Sequence, residues 1–304
     1  MHPTIPFSPR PARVPALALA STLALIGCAA VAPQPPTQAS QTPAAETVIA
    51  VTAAHELIRF NAGQPSRIAS RRPITGLATG DALVGIDFRI ARGVLYAVGQ
   101  SGQLYTLDPA TAALSRVGAP TAGMVLSGTR FGVDFNPVAD RLRLVSDTGA
   151  NWRLHPDTGA AVDGDAASAG LQPDATLAWA AGDASAGSAP GLLGAAYTYN
   201  KQNDKLTTNY AIERRGLLVI QGSREGVQPV VSPNTGQLTT VGALGSGPID
   251  DASFDIADVS GAAYAALRIG GGTQWVRIDL ATGRATRIGT LDITGGLRGI
   301  AIEP

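Results

Sequence analysis

Short runs of β-branched, aromatic and leucine residues alternate along this chain with clusters of Gly, Pro, Asp and Thr, and between Leu83 and Gly118 the alternation is regular enough to read as a unit. Its runs are Leu83 to Phe88, Val94 to Gly99, Gln103 to Leu107 and Leu114 to Val117. Residues of these types favour strands. Between them lie Arg92-Gly93, Ser101-Gly102 and Asp108-Pro109 with Thr111, where glycine supplies positive φ and proline presets the first turn position. The pattern predicts four strands joined by tight turns, an antiparallel meander. One such sheet cannot bury both of its faces by itself, so it predicts neighbours.

The neighbours are found by matching the first run. Gly85-Ile86-Asp87-Phe88 recurs as Gly132-Val133-Asp134-Phe135, and more weakly as Gly194-Ala195-Ala196-Tyr197, Ser253-Phe254-Asp255-Ile256 and Gly299-Ile300-Ala301-Ile302. The third position falls at 87, 134, 196, 255 and 301, at intervals of 47, 62, 59 and 46 residues. Repeats of roughly 40 to 50 residues, all strand and turn, have the period of propeller blades, and the two longer intervals predict enlarged loops. The second half of the unit repeats as well: Leu104 to Thr111 is echoed by Trp152 to Gly159 and by Val276 to Gly283.

One copy is split between the ends of the chain. Val48 to Ile68 aligns without gaps on Leu95 to Ser115, the second to fourth strands of the unit, and has no first strand of its own, whereas Gly299 to Ile302 is a first strand with nothing after it. Two frayed termini would leave two exposed apolar edges, which favours closure. The expected fold is all-β: a β-propeller of five four-stranded blades, closed by the C-terminal strand pairing with the N-terminal blade.

Ahead of the repeats, His2, Arg10 and Arg13 precede an apolar run from Val14 to Ile26 that is too short to span a bilayer and reads as an export signal. It ends in Leu25-Ile26-Gly27-Cys28, which resembles the lipobox of bacterial lipoproteins. That resemblance implies cleavage before Cys28, acylation of this only cysteine and, with Ala29 next, delivery to the outer membrane. The alternative for Cys28 is a buried free thiol. The expected organisation is a signal peptide over residues 1–27, an acylated Cys with a Pro/Ala/Gln/Thr-rich tether over 28–45, and the repeat domain over 46–304. Loss of Arg10 and Arg13 with the signal leaves 21 basic against 23 acidic side chains. That balance argues against nucleic acid, so the membrane is met through the acyl anchor rather than by charge, and a monomer is expected.

Nucleophile machinery is thin. Beyond the signal only His55 and His155 remain, no Gly-x-Ser-x-Gly elbow occurs, and Gly270-Gly271-Gly272 opens no helix. What stands out is Asp87, Asp134 and Asp255 at equivalent places in the strand nearest a propeller channel. Three acids there could hold a hard cation such as Ca²⁺, completed by backbone carbonyls and water. The leading alternative is that each ties down the backbone of a neighbouring turn within its own blade, and Ala196 and Ala301 interrupt the ring, which weakens the cation reading. Asp157, Asp163 and Asp165 lack EF-hand spacing and read as a plain acidic turn. Asn136, Asp140, Arg141 and Arg143 lie in and beside one hairpin turn, either as an Arg-Asp pair fixing it or as a polar patch for a ligand. Ala161 to Pro190 reads as a loop that partly packs back through Leu171, Leu177 and Trp179.

Several of these segments resemble the bacterial DUF4394 family: Ile74-Thr75-Gly76-Leu77, Gly85 to Phe88, Gly102 to Pro109, Phe131 to Pro137 with Asp140-Arg141-Leu142-Arg143, and Arg298-Gly299-Ile300-Ala301. The resemblance runs over roughly Leu57 to Pro304 and implies a propeller-like domain of an exported protein. It brings no activity. The expected function is non-catalytic binding of a protein or glycan partner where blade loops converge, by a protein anchored at the outer membrane and facing the periplasm or cell surface. The competing reading is a hydrolase or lyase using channel carboxylates and a bound divalent cation, by analogy of fold alone.

Overall fold

The computed structural model describes residues 44–304 together with Met1, His2 and Thr4. The expected signal peptide, the Cys28 acylation site and nearly all of the tether lie outside the described residues.

From the N-terminus the strands are β1 (Thr47–Thr52), β2 (Glu56–Asn61), β3 (Ile68–Pro73), β4 (Leu83–Arg89), β5 (Val94–Gly99), β6 (Leu104–Leu107) and β7 (Leu114–Val117). Then come β8 (Phe131–Asn136), β9 (Arg141–Ser146), β10 (Asn151–Leu154), β11 (Ala178–Trp179), β12 (Leu192–Tyr197), β13 (Asn209–Glu213) and β14 (Leu217–Gln221). The last are β15 (Gln237–Ala243), β16 (Asp251–Ile256), β17 (Ala263–Ile269), β18 (Gly272–Ile278), β19 (Ala285–Leu291) and β20 (Leu297–Ile302). They form five sheets, the blades of a β-propeller. Blade 1 has the order β20-β1-β2-β3, blade 2 runs β4 to β7, and blade 5 runs β16 to β19.

Blade 1 joins the two ends of the domain. Val48 pairs with Ile302 and Ala50 with Ile300 in an antiparallel ladder. Trp275 of blade 5 reinforces the seam: its ring packs edge-on against Phe60 at 5.1 Å and its indole N–H donates to Ala62 O at 2.7 Å.

Blades 3 and 4 depart from the expected four strands. Blade 3 keeps only β8, β9 and β10, with a single bridge from Leu154 to Ala161 where a fourth strand would begin, while blade 4 gains β11 parallel to β15 at its outer edge. The cause is legible in the connection from Ala161 to Pro190, whose only β-branched residues are Val162 and Thr176. It cannot sustain a strand beside β10. It packs back as expected, with Leu177 buried and Trp179 beneath the Arg215 guanidinium.

The described residues hold five apolar clusters, one in each gap between neighbouring blades. Each sheet thereby buries both faces, which is how the ring meets the requirement that a lone meander fails. The cluster between blades 3 and 4 is the smallest, and a polar network supplements it.

Candidate functional site

The first strand of every blade (β20, β4, β8, β12, β16) bonds the second strand along one edge and turns the other toward the ring axis. Such an edge carries backbone N–H groups that must find acceptors once buried. Three carboxylates meet five of them. Asp87 Oδ2 accepts from Phe135 N at 2.7 Å, Asp134 Oδ1 from Tyr197 N at 3.1 Å and Asp255 Oδ2 from Ile302 N at 2.6 Å. Each aspartate thus reaches the first strand of the next blade, where a tie to a turn within its own blade was expected. Where the preceding blade carries Ala301 or Ala196, the aspartate also takes the N–H that follows it: Phe88 for Asp87, and Ile256 at 2.6 Å for Asp255.

These carboxylates are 7%, 5% and 5% exposed, and each offers an oxygen within 4.8 Å of the others. Burial, followed by mutual repulsion, pushes Asp87 and Asp134 well above the usual carboxylate range. Burial also raises Asp255, to about 6, against the steadying N–H groups of Ile302 and Ile256. A fourth carboxylate stands beside them. Asp258, in the β16–β17 turn, is pushed up to about 7 by burial and by the Asp255 charge. The repeat carries no signal for it, since the matching positions are Ile90, Pro137, Tyr199 and Pro304. Hard oxygen donors at this spacing fit a divalent cation such as Ca²⁺, and shared protons would relieve the same repulsion.

The glycine two residues ahead of the third position sets the bore of the ring. A Cβ at Gly85 would stand 2.3 Å from Val133 Cγ2, at Gly132 2.4 Å from Ala195 N, and at Gly299 2.8 Å from Ile86 N. The first strands meet so closely that a cavity of only about 10 Å³ remains between them. That is room for about one water. The first strands thus leave little space beside the carboxylates at the end of the ring where those strands begin.

The four residues expected at the β8–β9 hairpin separate. Asn136 Oδ1 caps the turn, accepting from Val138 N and Ala139 N. Asp140 joins Asp157 on the buried Arg89 of blade 2, so it locks two blades rather than its own hairpin. Arg141 donates to the Asp140 carbonyl at 2.8 Å. Arg143 does not belong to an exposed patch: it is 2% exposed and donates to Tyr197 Oη, Asn151 Oδ1, Asp174 Oδ2 and Asn234 Oδ1. Asp163 and Asp165 cap backbone N–H groups of an acidic turn, as expected.

Beside this network opens a cleft that the sequence does not announce. It has a volume of about 240 Å³ and lies between Asn136 and Val138 of blade 3 and, on blade 4, the Lys205 to Thr207 segment and the β14–β15 loop. Val138 and Val230 on its rim are 40% and 68% exposed, next to Lys205, Arg224 and Glu225.

Fold and inner edge together define a five-bladed β-propeller latched by carboxylates. The profile described as "Domain of unknown function (DUF4394)" matches residues 56–301, and the chain belongs to that family. No curated protein matches the sequence. Among solved structures the chain is similar to one in the crystal structure of a nidogen/laminin complex, with TM-score 0.44 and 12% identity over 85% of this chain and 98% of that one. It is similar to dihydro-heme d1 dehydrogenase NirN in complex with DHE, with TM-score 0.36 and 14% identity over 85% and 46%. A third is a structural-genomics protein of unknown function from Bacteroides thetaiotaomicron VPI-5482, with TM-score 0.46 and 14% identity over 83% and 63%.

Proposed function

We propose that this protein is a non-catalytic binding module, exported and acylated at Cys28, that holds a protein or glycan partner in the cleft between blades 3 and 4. The observation that carries this is the pair of exposed valines, Val138 and Val230, beside charged side chains on a concave surface. Apolar side chains at the rim of a polar cleft are what a partner would cover. The buried aspartates favour an architectural role, because the five backbone N–H groups of the inner edge already occupy them.

The test is a photo-reactive side chain placed at Val138 or Val230 of the full chain in its native cell, with Val125, exposed on the opposite face, as control. A discrete adduct at Val138 and Val230 but not at Val125 supports the reading. Equal labelling at all three, or none, sinks it. The hydrolase or lyase reading predicts product release from envelope glycans that Asp134→Asn abolishes.

A further inference from the structure

The opposite end of the ring carries a cluster with the opposite charge. Where the first strands begin, Arg130 precedes β8, Arg298 lies in β20, Arg268 in β17 and Asp251 opens β16, so side chains from blades 1, 3 and 5 converge on the channel mouth. All three guanidinium groups act on the one Asp251 carboxylate. Arg130 Nε comes within 3.0 Å of Asp251 Oδ2, but its N–H is not aimed at that oxygen, and Arg298 Nε is buried with no hydrogen-bond partner in the protein. Between Arg130 and Arg298 lies a recess of about 20 Å³ whose other walls include Val84, Leu297, Thr129 and Ser253.

Arg130, Arg298 and Arg268 outnumber the buried Asp251 in a narrow mouth of mixed apolar and hydroxyl walls, with Asp250 and the Asp147–Arg214 pair at its margin, and the excess of cations focuses positive potential outward. Arg130 donates one Nη1–H to Thr129 O at 2.9 Å, but its Nε and that of Arg298 are left without hydrogen-bond partners in the protein, and such N–H groups suit the oxygens of a carboxylate or phosphate. We infer that this mouth is an oxyanion-binding site, in which Arg130 and Arg298, backed by Arg268, hold the carboxylate or phosphate group of an anionic ligand whose body projects into solvent. The site is independent of the cleft between blades 3 and 4, which opens on the other face.

Asp251 is the built-in competitor. Burial pushes it up to about 6 against the pull of Arg130, Arg298 and Arg268. The other titratable groups nearby are His55, held down by burial and by Arg298, Asp250, whose carboxylate accepts Gly270 N–H, and Asp147, which accepts the backbone N–H groups of Thr129 and Arg130 and pairs with Arg214. An incoming anion is repelled by ionised Asp251 and tolerated once it is protonated.

The experiment is titration of inorganic phosphate and, separately, galacturonate into the full chain at constant ionic strength set with chloride, followed by calorimetry. Saturable binding is expected, weakened about tenfold or more by Arg298→Gln or Arg130→Gln, as loss of a charge-assisted hydrogen bond requires. Arg116→Gln, on the outer strand of blade 2, leaves it unchanged. Asp251→Asn should tighten binding, the reverse of what damage to the fold would do. Galacturonate affinity should rise as pH falls through about 6 in the parent, and this rise should vanish in Asp251→Asn. Response to phosphate alone identifies a phosphoryl ligand, and response to galacturonate alone a carboxylated one. No saturable binding of either probe, or binding indifferent to the Arg298 and Arg130 substitutions, overturns the assignment.

Discussion

Asp87 Oδ2 in blade 2 accepts the backbone N–H of Phe135 in blade 3 at 2.7 Å, across 48 residues of chain. The repeating aspartate is therefore a latch between blades and not an ornament of one strand. It answers a problem peculiar to a closed ring, in which the innermost strand has an edge that neither another strand nor bulk water covers. Three latches suffice for five edges because Asp87 and Asp255 each accept two N–H groups.

That count ranks the aspartates. Asp134→Ala orphans one buried N–H, that of Tyr197, whereas Asp87→Ala and Asp255→Ala orphan two each. With about 1–3 kcal/mol for each buried group left unpaired, the two double acceptors should cost roughly twice as much in denaturant unfolding. Asn keeps one carbonyl acceptor, so Asp134→Asn should be tolerated, while Asp255→Asn would set an NH₂ against a backbone N–H. Equal losses at all three alanine variants would remove the latch account.

The blade count and the split first blade were legible because the short apolar first-strand run recurs at every blade, as Gly-x-Asp in two of them and in weaker forms such as Ser253-Phe254-Asp255 and Gly299-Ile300-Ala301 in the others. The direction of the aspartates was not, since a strand reading places side chains on faces but not across a gap between sheets. Arg143 misled for a related reason: an Arg two residues from a hairpin turn reads as surface, yet Asn151, Asp174 and Asn234, far apart in sequence, converge to bury it. Asp258 lacks any counterpart in the repeat, and the cleft is built by two loops of irregular length.

Stability should fall as pH rises from the ordinary carboxylate value of about 4 through about 7. Asp87, Asp134, Asp255 (about 6) and Asp258 (about 7) have folded values above their ordinary ones. Their contribution is thus complete below the ordinary carboxylate range and is lost as pH climbs through the raised values. Melting curves should show the decline, and Asp258→Asn should flatten it and raise Tm at pH 8. Added Ca²⁺ should restore Tm at pH 8 if a cation neutralises the cluster, with Asp134→Ala abolishing the rise. A curve that ignores Ca²⁺ leaves shared protons as the neutralising species.

Arg143 holds the gap between blades 3 and 4 where apolar packing is thinnest. Removing it as Arg143→Ala leaves Asp174 with Arg153 alone and strips Tyr197, Asn151 and Asn234 of a donor. A loss of about 3–5 kcal/mol is expected for breaking a buried charge network. Arg143→Lys should recover little, because an ammonium cannot reproduce the planar fork. Limited proteolysis should then cut first between Ala161 and Pro190, the connection that Asp174 anchors. Cleavage elsewhere, with that connection intact, would contradict the assignment.

The bore of the ring depends on glycine for space rather than for backbone freedom, and two substitutions separate these. Gly132 has no left-handed φ, yet a Cβ there would lie 2.4 Å from Ala195 N and 2.7 Å from Ala195 Cβ. Neither the backbone nor a stub of that kind can swing aside, so β8 and β12 must part. Forcing bulk into such packing costs about 1–3 kcal/mol or more. Gly272, also in a strand and also without a left-handed φ, would place its Cβ no nearer than 3.8 Å from Ile269 O. Gly272→Ala should therefore be neutral, or stabilising by about 0.4–1 kcal/mol through a stiffer unfolded chain. If urea unfolding gives the two variants the same stability, close approach of the first strands is not what these glycines serve, and the closed channel loses its physical basis.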